Sequence, residues 1–259
     1  RDSAVPTMFT GMLDAIEKEN GKPLKENPFP HWRRPLIGGA PLPAALARRM
    51  EKLELRPIQV WGMTETGGAG CYLGINESLQ HPEAAGRPFT YSQVTVRDQE
   101  GKALPAGAQG QITIGGPHVC KTNYPGIAMS AIDGQIETGD IGYIGEDGLL
   151  RLSGRASDVI ISGGEHVFPA QVEDALSTFP GIGQVAVIGL EDEYWGQRVC
   201  AIITGTATSE DVKQFLKGKL AAYKIPKQII QVENLPLNSA GKLSRQTLRE
   251  SLSNGGRGK

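Results

Sequence analysis

The sequence predicts a protein of mixed α/β and α+β class. It is laid out as the end of a layered α/β subdomain (1–87), a small antiparallel β subdomain (88–154) and a compact α+β C-terminal domain (156–259). Three observations predict this. Near the N-terminus, apolar residues recur at helical spacing and alternate with short buried runs. From about Pro88 the pattern changes to short strands divided by turn dipeptides. After Arg155, strand-like runs again alternate with amphipathic helical segments. The 34 Gly and 17 Pro, with only 6% aromatics, point to a loop-rich globular chain rather than a bundle or coiled coil.

Phe9, Met12, Leu13 and Ile16 share one helical face, so a helix is expected over Pro6–Lys18, ended by Gly21 and a Pro-rich stretch. Leu36-Ile37 is a short apolar entry into Gly38-Gly39-Ala40-Pro41. Pro43 suits a first helical position, and Leu46, Met50 and Leu53 mark the buried face of that second helix. Ile58-Gln59-Val60 reads as a buried strand running directly into Trp61-Gly62-Met63-Thr64-Glu65. Val94–Val96, Ile112–Ile114 and Leu149–Leu152 read as strands, separated by the turn signals Glu100-Gly101 and Asp147-Gly148. Val159–Ile161 is a strand, Ser162-Gly163-Gly164 a turn, and Pro169 opens a helix with Val172, Leu176 and Phe179 inward. Val185–Leu190 and Val199–Thr204 follow as strands. Ser209 is the expected N-cap of a further helix, with Glu210 and Asp211 where carboxylates suit its dipole. Ser253–Lys259 is expected to be a disordered tail.

Charge and cysteine usage exclude several functional classes. The 27 Lys+Arg and 28 Asp+Glu leave a net charge of −1, which argues against a nucleic-acid partner recognised through bulk charge. Hydrophobic residues at 39% against 21% charged support a packed core. Cys71, Cys120 and Cys200 are odd in number and none are spaced as a CxxC pair. Neither a disulfide framework nor a structural zinc site is expected, and a reducing compartment is the default. No apolar run approaches the ~20 residues of a membrane helix, and the N-terminus lacks the apolar core of a signal peptide. A cytoplasmic protein without a membrane partner is therefore expected. The absence of an initiator Met suggests a trimmed or incomplete chain.

Several segments carry candidate chemistry. Gly38-Gly39-Ala40-Pro41 has almost no side chain and lets backbone approach a flat ligand, although the same residues suit an ordinary loop–helix junction. In Trp61-Gly62-Met63-Thr64-Glu65, an aromatic face, a hydroxyl and a carboxylate fall within five residues. They suit a base, a phosphate and Mg²⁺, which takes one or two carboxylates plus substrate phosphates. A core Trp and a solvated Glu are the plainer alternative. Asp140, in Thr138-Gly139-Asp140, sits in an expected turn before a strand. It suits the two hydroxyls of a ribose, or simply the turn. Lys242, on the Gly-flanked loop Ser239-Ala240-Gly241-Lys242, is either a mobile cation or a solvated one.

The order of these segments is more specific than any one of them. It runs through Ile37–Leu42, Trp61–Glu65, Thr138–Asp140, Gly154-Arg155 with Asp158, Ser162–Glu165 and Pro236–Lys242. In this order the chain resembles the acyl-adenylate-forming superfamily of AMP-dependent acyl-CoA synthetases, adenylation domains and luciferases. The resemblance spans essentially the whole chain and implies an AMP-forming carboxylate–CoA ligase using ATP/AMP, Mg²⁺ and coenzyme A. It places Gly38, Gly39, Ala40 and Pro41 along one face of adenine and Trp61 on the other, where Tyr or Phe is usual, with Gly62 and Met63 beside it. Thr64 would contact the α-phosphate and Glu65 would bind Mg²⁺. Asp140 would hold the ribose, with Arg155 beside it, and Lys242 would bridge carboxylate and phosphate. After a rotation of the C-terminal domain, Gly163 and Gly164 would line the thiol channel. Trp195, Tyr223, Lys224 and Lys227 match segments that contact CoA in some ligases; a solvated basic turn is the alternative for the two lysines.

Some departures accompany the resemblance. The family's phosphate loop, Ser-Gly-Thr-Thr-Gly-x-Pro-Lys-Gly, is absent from these 259 residues. The chain thus resembles the C-terminal half of such an enzyme, and is expected to be inactive alone. At the hinge position after Arg155, Ser157 replaces the usual Asp or Lys. Other readings are an enzyme loading a carrier-protein phosphopantetheine, one half of a split enzyme with a separate N-terminal half as partner, or a non-catalytic nucleotide-binding remnant.

Overall fold

In the computed structural model, which describes residues 3–32, 34–40, 42–120, 122–123, 127–128, 131–237 and 243–254, the helical spacing of Phe9 and Leu13 becomes α1 (Pro6–Asn20). A short strand, β1 (Ser3–Ala4), precedes it. Gly21 ends the helix in the left-handed conformation at φ 64°, where its N–H reaches the carbonyl of Lys18. The chain then forms β2 (Leu36–Gly38), α2 (Ala44–Lys52), β3 (Ile58–Trp61), β4 (Cys71–Leu73) and β5 (Ala84–Pro88). Pro43 is the N-cap of α2 rather than its first helical residue, because its ψ of 137° is still extended. The described residues fall into two units, Arg1–Leu152 and Ser153–Lys259.

In the first unit, β1, β2 and β3 are parallel, and α1 and α2 make the two crossovers. Both helices bury the same face of the sheet. Phe9, Leu13, Leu46, Met50 and Leu53 close over Ile37 in one apolar cluster. Register puts Leu36, Ile58, Val60 and Tyr72 on the opposite face, where Leu36 is 39% exposed and Tyr72 37%. Parallel sheets ordinarily have both faces covered. Gln59 points to the helix side and its Nε2 donates to the Ala84 carbonyl at 2.7 Å, tying β3 to β5 across β4.

The remaining strands of the unit are β6 (Gln93–Arg97), β7 (Gly110–Gly115), β8 (Thr122–Asn123), β9 (Ile127–Ala128), β10 (Ala131–Ile132), β11 (Gln135–Ile144) and β12 (Leu150–Arg155). Among the described residues, ten strands form one ladder in the order β1-β2-β3-β4-β5-β12-β11-β7-β6, with β10 on β11 and β8–β9 a separate pair. The strands of 88–154 are therefore joined to those of 1–87 through β5 and β12. Asp147-Gly148 makes the β11–β12 hairpin, its Oδ1 accepting the Leu149 N–H at 3.1 Å. Asp140 does not sit in a turn before a strand. It lies within β11, at a register shift against β7 between Glu137 and Ile141.

The second unit contains β13 (Ile160–Ser162), β14 (Glu165–Val167), α3 (Pro169–Ser177), β15 (Ile182–Asp192), β16 (Gly196–Gly205), α4 (Ser209–Leu216), β17 (Gln228–Gln231) and α5 (Arg245–Asn254). Its sheet runs β14-β13-β16-β15, with β17 parallel to β16. Ala186, Val187 and Ile188 are all fully buried because both faces are covered. Val187 packs with Val172 and Leu176 of α3 and Val212 and Leu216 of α4. Ala186 and Ile188 pack with Leu248 and Leu252 of α5. Arg245 anchors the start of α5, its Nη2 lying 2.6 and 2.7 Å from the two Glu173 carboxylate oxygens; Glu173 Oε1 also accepts the Val187 N–H at 2.8 Å.

Two local expectations change. The N-cap of α4 is Thr208, whose Oγ1 accepts the Asp211 N–H at 3.2 Å, so Ser209 is the first helical residue. Ser253 and Asn254, expected in the tail, end α5, and 255–259 lie outside the described residues. Among the described residues, no helix is long and apolar enough to cross a membrane.

Burial pushes the Cys71 thiol up to about 12 and Cys200 up to about 11, whereas Cys120 is exposed. One fast-reacting thiol per chain is expected from Ellman's reagent under native conditions at pH 8, and three after denaturation; two or more fast thiols would contradict this packing. Because burial penalises the thiolate, these thiols leave stability unchanged below the ordinary thiol range, and stability falls as pH rises from that range to about 11–12. Leu248→Ala is expected to cost about 2–5 kcal/mol in urea unfolding and to lower hydrogen-exchange protection across α5 first.

Candidate functional site

β2 and β3 are parallel and paired, with Gly38 opposite Val60, so their carboxyl ends release two loops side by side. Loops at the carboxyl ends of parallel strands are the usual ligand-bearing edge of an α/β sheet. The first loop is Gly38-Gly39-Ala40, in which Gly39 has φ 79° and both Gly39 and Ala40 are exposed. A Cβ on Gly38 would come 3.0 Å from the Val60 carbonyl oxygen. Pro41 lies outside the described residues.

The second loop begins at Trp61 and is held by its own backbone. Thr64–Thr66 form a 3₁₀ turn ended by Gly67 at φ 58°. The Met63 N–H donates to Thr66 Oγ1 at 3.1 Å, and that hydroxyl donates back to the Met63 carbonyl at 2.9 Å. Gly62 has no room for a side chain, since a Cβ there would sit 2.3 Å from the Gly68 oxygen. Thr64 is exposed and Glu65 half-buried. The Cys120 N–H donates to the Glu65 carbonyl at 2.7 Å, fixing the backbone under that side chain. At the far end of the loop, the Ala69 carbonyl accepts from His118 Nε2–H at 2.8 Å and from Ser92 Oγ at 3.0 Å.

Trp61 is where distant sequence segments meet. Its indole Nε1 donates to Asp140 Oδ2 at 3.1 Å. The register shift in β11 makes this possible, because a bulge lifts a residue out of the ladder and re-aims it. Gly139 takes φ 74° at the shift, and the Asp140 N–H donates to Thr138 Oγ1 at 3.1 Å. Thr138 Oγ1 in turn donates to the Ile112 carbonyl at 2.9 Å, so the bulge is pinned to β7. Trp61 itself packs over Gly70, where a Cβ would come 2.6 Å from the ring. The structure thus gathers Gly38, Gly39, Ala40, Trp61, Gly62, Met63, Thr64, Glu65 and Asp140 in the first unit, and joins Trp61 directly to Asp140.

In the second unit, Gly163 (φ 59°) and Gly164 (φ 84°) form the two-residue turn of the β13–β14 hairpin. The Gly163 N–H donates to the Trp195 carbonyl at 2.8 Å, and a Cβ on Gly163 would press 2.9 Å from the Trp195 ring. Lys227 Nζ lies 4.8 Å from the centre of that ring, a cation–π distance. Asp192 presents Trp195 by accepting the N–H groups of Tyr194 and Trp195, both at 3.0 Å. The Trp195 N–H, then the Tyr194 N–H and the Arg198 guanidinium, hold its carboxyl below the usual range. Gly163, Trp195 and Lys227 are therefore one cluster. Lys224 is engaged elsewhere, its Nζ donating to Gln171 Oε1 at 2.8 Å, and Tyr223 packs against the core. Arg155 ends β12 and is exposed. Lys242 lies outside the described residues.

Sequence reasoning passed over Thr66, Ser92 and His118, and named Thr138 only as part of the Asp140 motif, with no role of its own. Thr66 and Thr138 carried a local signal, a hydroxyl within three residues of the backbone group it satisfies. Ser92 and His118 carried none, because Ala69 is remote from both along the chain. Among the described residues, no group of three or more His, Cys, Asp or Glu could hold a metal ion by itself.

The chain is 34% identical over 256 residues to a 2-succinylbenzoate–CoA ligase of Bacillus cytotoxicus, and 36% identical over 254 residues to that of Bacillus mycoides. Each alignment covers 96% of this chain and 51% of the relative, so the chain spans about half the length of the curated relatives it matches. Among solved structures, it resembles the o-succinylbenzoate CoA synthetase of Bacillus subtilis in complex with the acyl-adenylate intermediate OSB-AMP. The TM-score is 0.83 at 30% identity, covering 95% of this chain and 50% of that one. ATP-bound MatB from Rhodopseudomonas palustris gives 0.85 at 31%, covering 97% and 50%. Residues 3–124 match the AMP-binding enzyme family and residues 171–242 its C-terminal domain, in the order the motifs require, and the chain belongs to that acyl-adenylate-forming family.

Proposed function

We propose that these residues form the nucleotide-binding and thiol-binding portion of an AMP-forming carboxylate–CoA ligase. The observation that carries this is the meeting of Trp61 and Asp140 beside the bare Gly38–Ala40 loop. Adenine would lie between Gly38–Ala40 and the Trp61 ring, and Asp140 would accept from the ribose hydroxyls. A carboxylate offers about four lone-pair positions, so it can accept from more than one donor at once. Thr64 would donate to the α-phosphate. In the first step a substrate carboxylate oxygen attacks the α-phosphorus of ATP, forming the acyl–phosphate bond as pyrophosphate leaves. In the second, a thiol attacks the acyl carbon and AMP departs. The chain's own part is positioning and charge stabilisation.

Mg²⁺ fits the oxygen donors present. Glu65 is one half-buried carboxylate, and this metal takes one or two carboxylates with phosphates completing its shell. When bound, it would neutralise charge on the departing pyrophosphate. Lys242 would supply the cation between carboxylate and phosphate. The Gly163–Trp195–Lys227 cluster would take the pantetheine arm of coenzyme A, two glycines giving a narrow passage and Lys227 a cation for its phosphates. The same passage would admit a carrier-protein phosphopantetheine. The relatives named above make 2-succinylbenzoate the first carboxylate to try.

The family's other half is the further partner this reading needs. No phosphate-loop motif lies within the 259 residues, and the exposed Leu36 and Tyr72 lie on the face of the sheet opposite α1 and α2. That half would cradle the β- and γ-phosphates and complete the acyl pocket.

Two measurements test the proposal. Calorimetry should show AMP binding to these residues, weakened about tenfold or more by Asp140→Ala, since hydrogen bonds to a charged group are worth roughly 1.5–3 kcal/mol. Absence of any heat with AMP would defeat the nucleotide assignment. Pyrophosphate release from ATP with a carboxylate panel should be absent for these residues alone and appear when the other half of the family fold is supplied; robust turnover without it would overturn the division of labour.

A further inference from the structure

We propose that Trp61 orients the ribose-binding carboxylate through its indole N–H, as a positioning residue, in addition to offering its ring to adenine. The proposal rests on the nucleotide-site assignment above. The family usually places Tyr or Phe at this position, and neither has a nitrogen donor on its ring. Here the indole Nε1 donates to Asp140 Oδ2 at 3.1 Å. The ring has little freedom to leave that geometry. It lies over Gly70, the one residue type that lets it approach so closely, and packs against the buried cluster of Cys71, Ala85, Val96, Ile112 and Leu150.

Asp140 is held from the other side as well. Its backbone N–H is bonded to Thr138 Oγ1, and Gly139 supplies the left-handed step that brings the carboxylate out of the ladder. A carboxylate on a bulge has two side-chain torsions to order before it can receive a cis-diol. A donor fixed to a packed ring orders them beforehand, and ordering done in advance is not charged against ligand affinity. The bond also fixes which oxygen faces the indole, Oδ2. Trp61 thus sets base and sugar recognition from one side chain, with the ring face for one and the ring edge for the other.

The test separates the edge from the face. Trp61→Phe keeps an aromatic face and removes the donor. A second variant, with β-(3-benzothienyl)alanine at position 61, keeps the bicyclic shape and replaces only the N–H by sulfur. Affinities for AMP and for its 2′,3′-dideoxy counterpart are measured by calorimetry on the wild type and both variants. The preference for AMP over the dideoxy ligand is expected to fall about tenfold in each variant, while the dideoxy ligand itself binds the benzothienyl variant within about twofold of wild type. Parallel loss of both ligands, or an unchanged preference, would overturn the proposal and assign Trp61 to stacking alone. A wild type that binds neither ligand would remove the nucleotide site and this role with it. A ligand-free measurement reads the bond directly. The indole N–H resonance lost in Trp61→Phe should exchange slowly in wild type and at least about tenfold faster in Asp140→Ala; equal exchange in the two would show that no such bond forms.

Discussion

The hydrogen bond between the Trp61 indole and the Asp140 carboxylate brings together parts of the sheet that its ladder keeps well apart. β3 and β11 are not neighbours; β4, β5 and β12 lie between them in the ladder order. The sheet curls until the last residue of β3 reaches the bulge of β11, and the apolar side chains inside the curl make that closure favourable. Trp61, Val94, Ile112 and Leu150 pack in one cluster, so the hydrophobic force that shapes the sheet also delivers the polar pair. A flat sheet would leave Asp140 an ordinary strand residue.

Glycine does the complementary work, and at few places. Gly62 and Gly70 flank the site loop at positions where a Cβ would strike the backbone of Gly68 or the ring of Trp61. Gly139 gives β11 its left-handed step. These residues contribute no contacts of their own and cost backbone entropy on folding. The hydroxyls of Thr66 and Thr138 offset part of that cost by tying the loop and the bulge to themselves. The second unit repeats the arrangement around Trp195, with the Gly163-Gly164 turn pressed to the ring and Lys227 on its face. In both units a tryptophan stands at the end of a strand or beside one, and bare backbone lies against it.

Much of the fold was legible locally. The periodicity of Phe9 and Leu13, the run Ile58–Val60, the Asp147-Gly148 hairpin and the Gly163-Gly164 turn each carry their signal within a few residues, because helices, tight turns and buried strands are specified by nearest neighbours. The α4 cap is ambiguous by one residue in the sequence because Thr208 and Ser209 are both capping types, and only the backbone angles tell which stands outside the helix. Short strands such as β4 and β17 gave no clear pattern. Three or four residues cannot display a period, and β17 depends on pairing with β16 along one edge. α5 lacked notice because its apolar residues are few, and Leu248 and Leu252 acquire meaning only against the outer face of β15.

By itself, the sequence determined the mixed class, the order of the glycine, tryptophan and acidic segments, and through that order the family. Those are properties of residue type and sequence separation, which survive without coordinates. Only the tertiary structure decided that Asp140 stands on a bulge rather than a turn, that its carboxylate meets the edge of Trp61, and that Lys224 is engaged by Gln171 while Lys227 faces Trp195. Each of these joins residues far apart in the chain, and such contacts are set by sheet register and by the packing that curls the sheet, neither of which any local run of residues encodes.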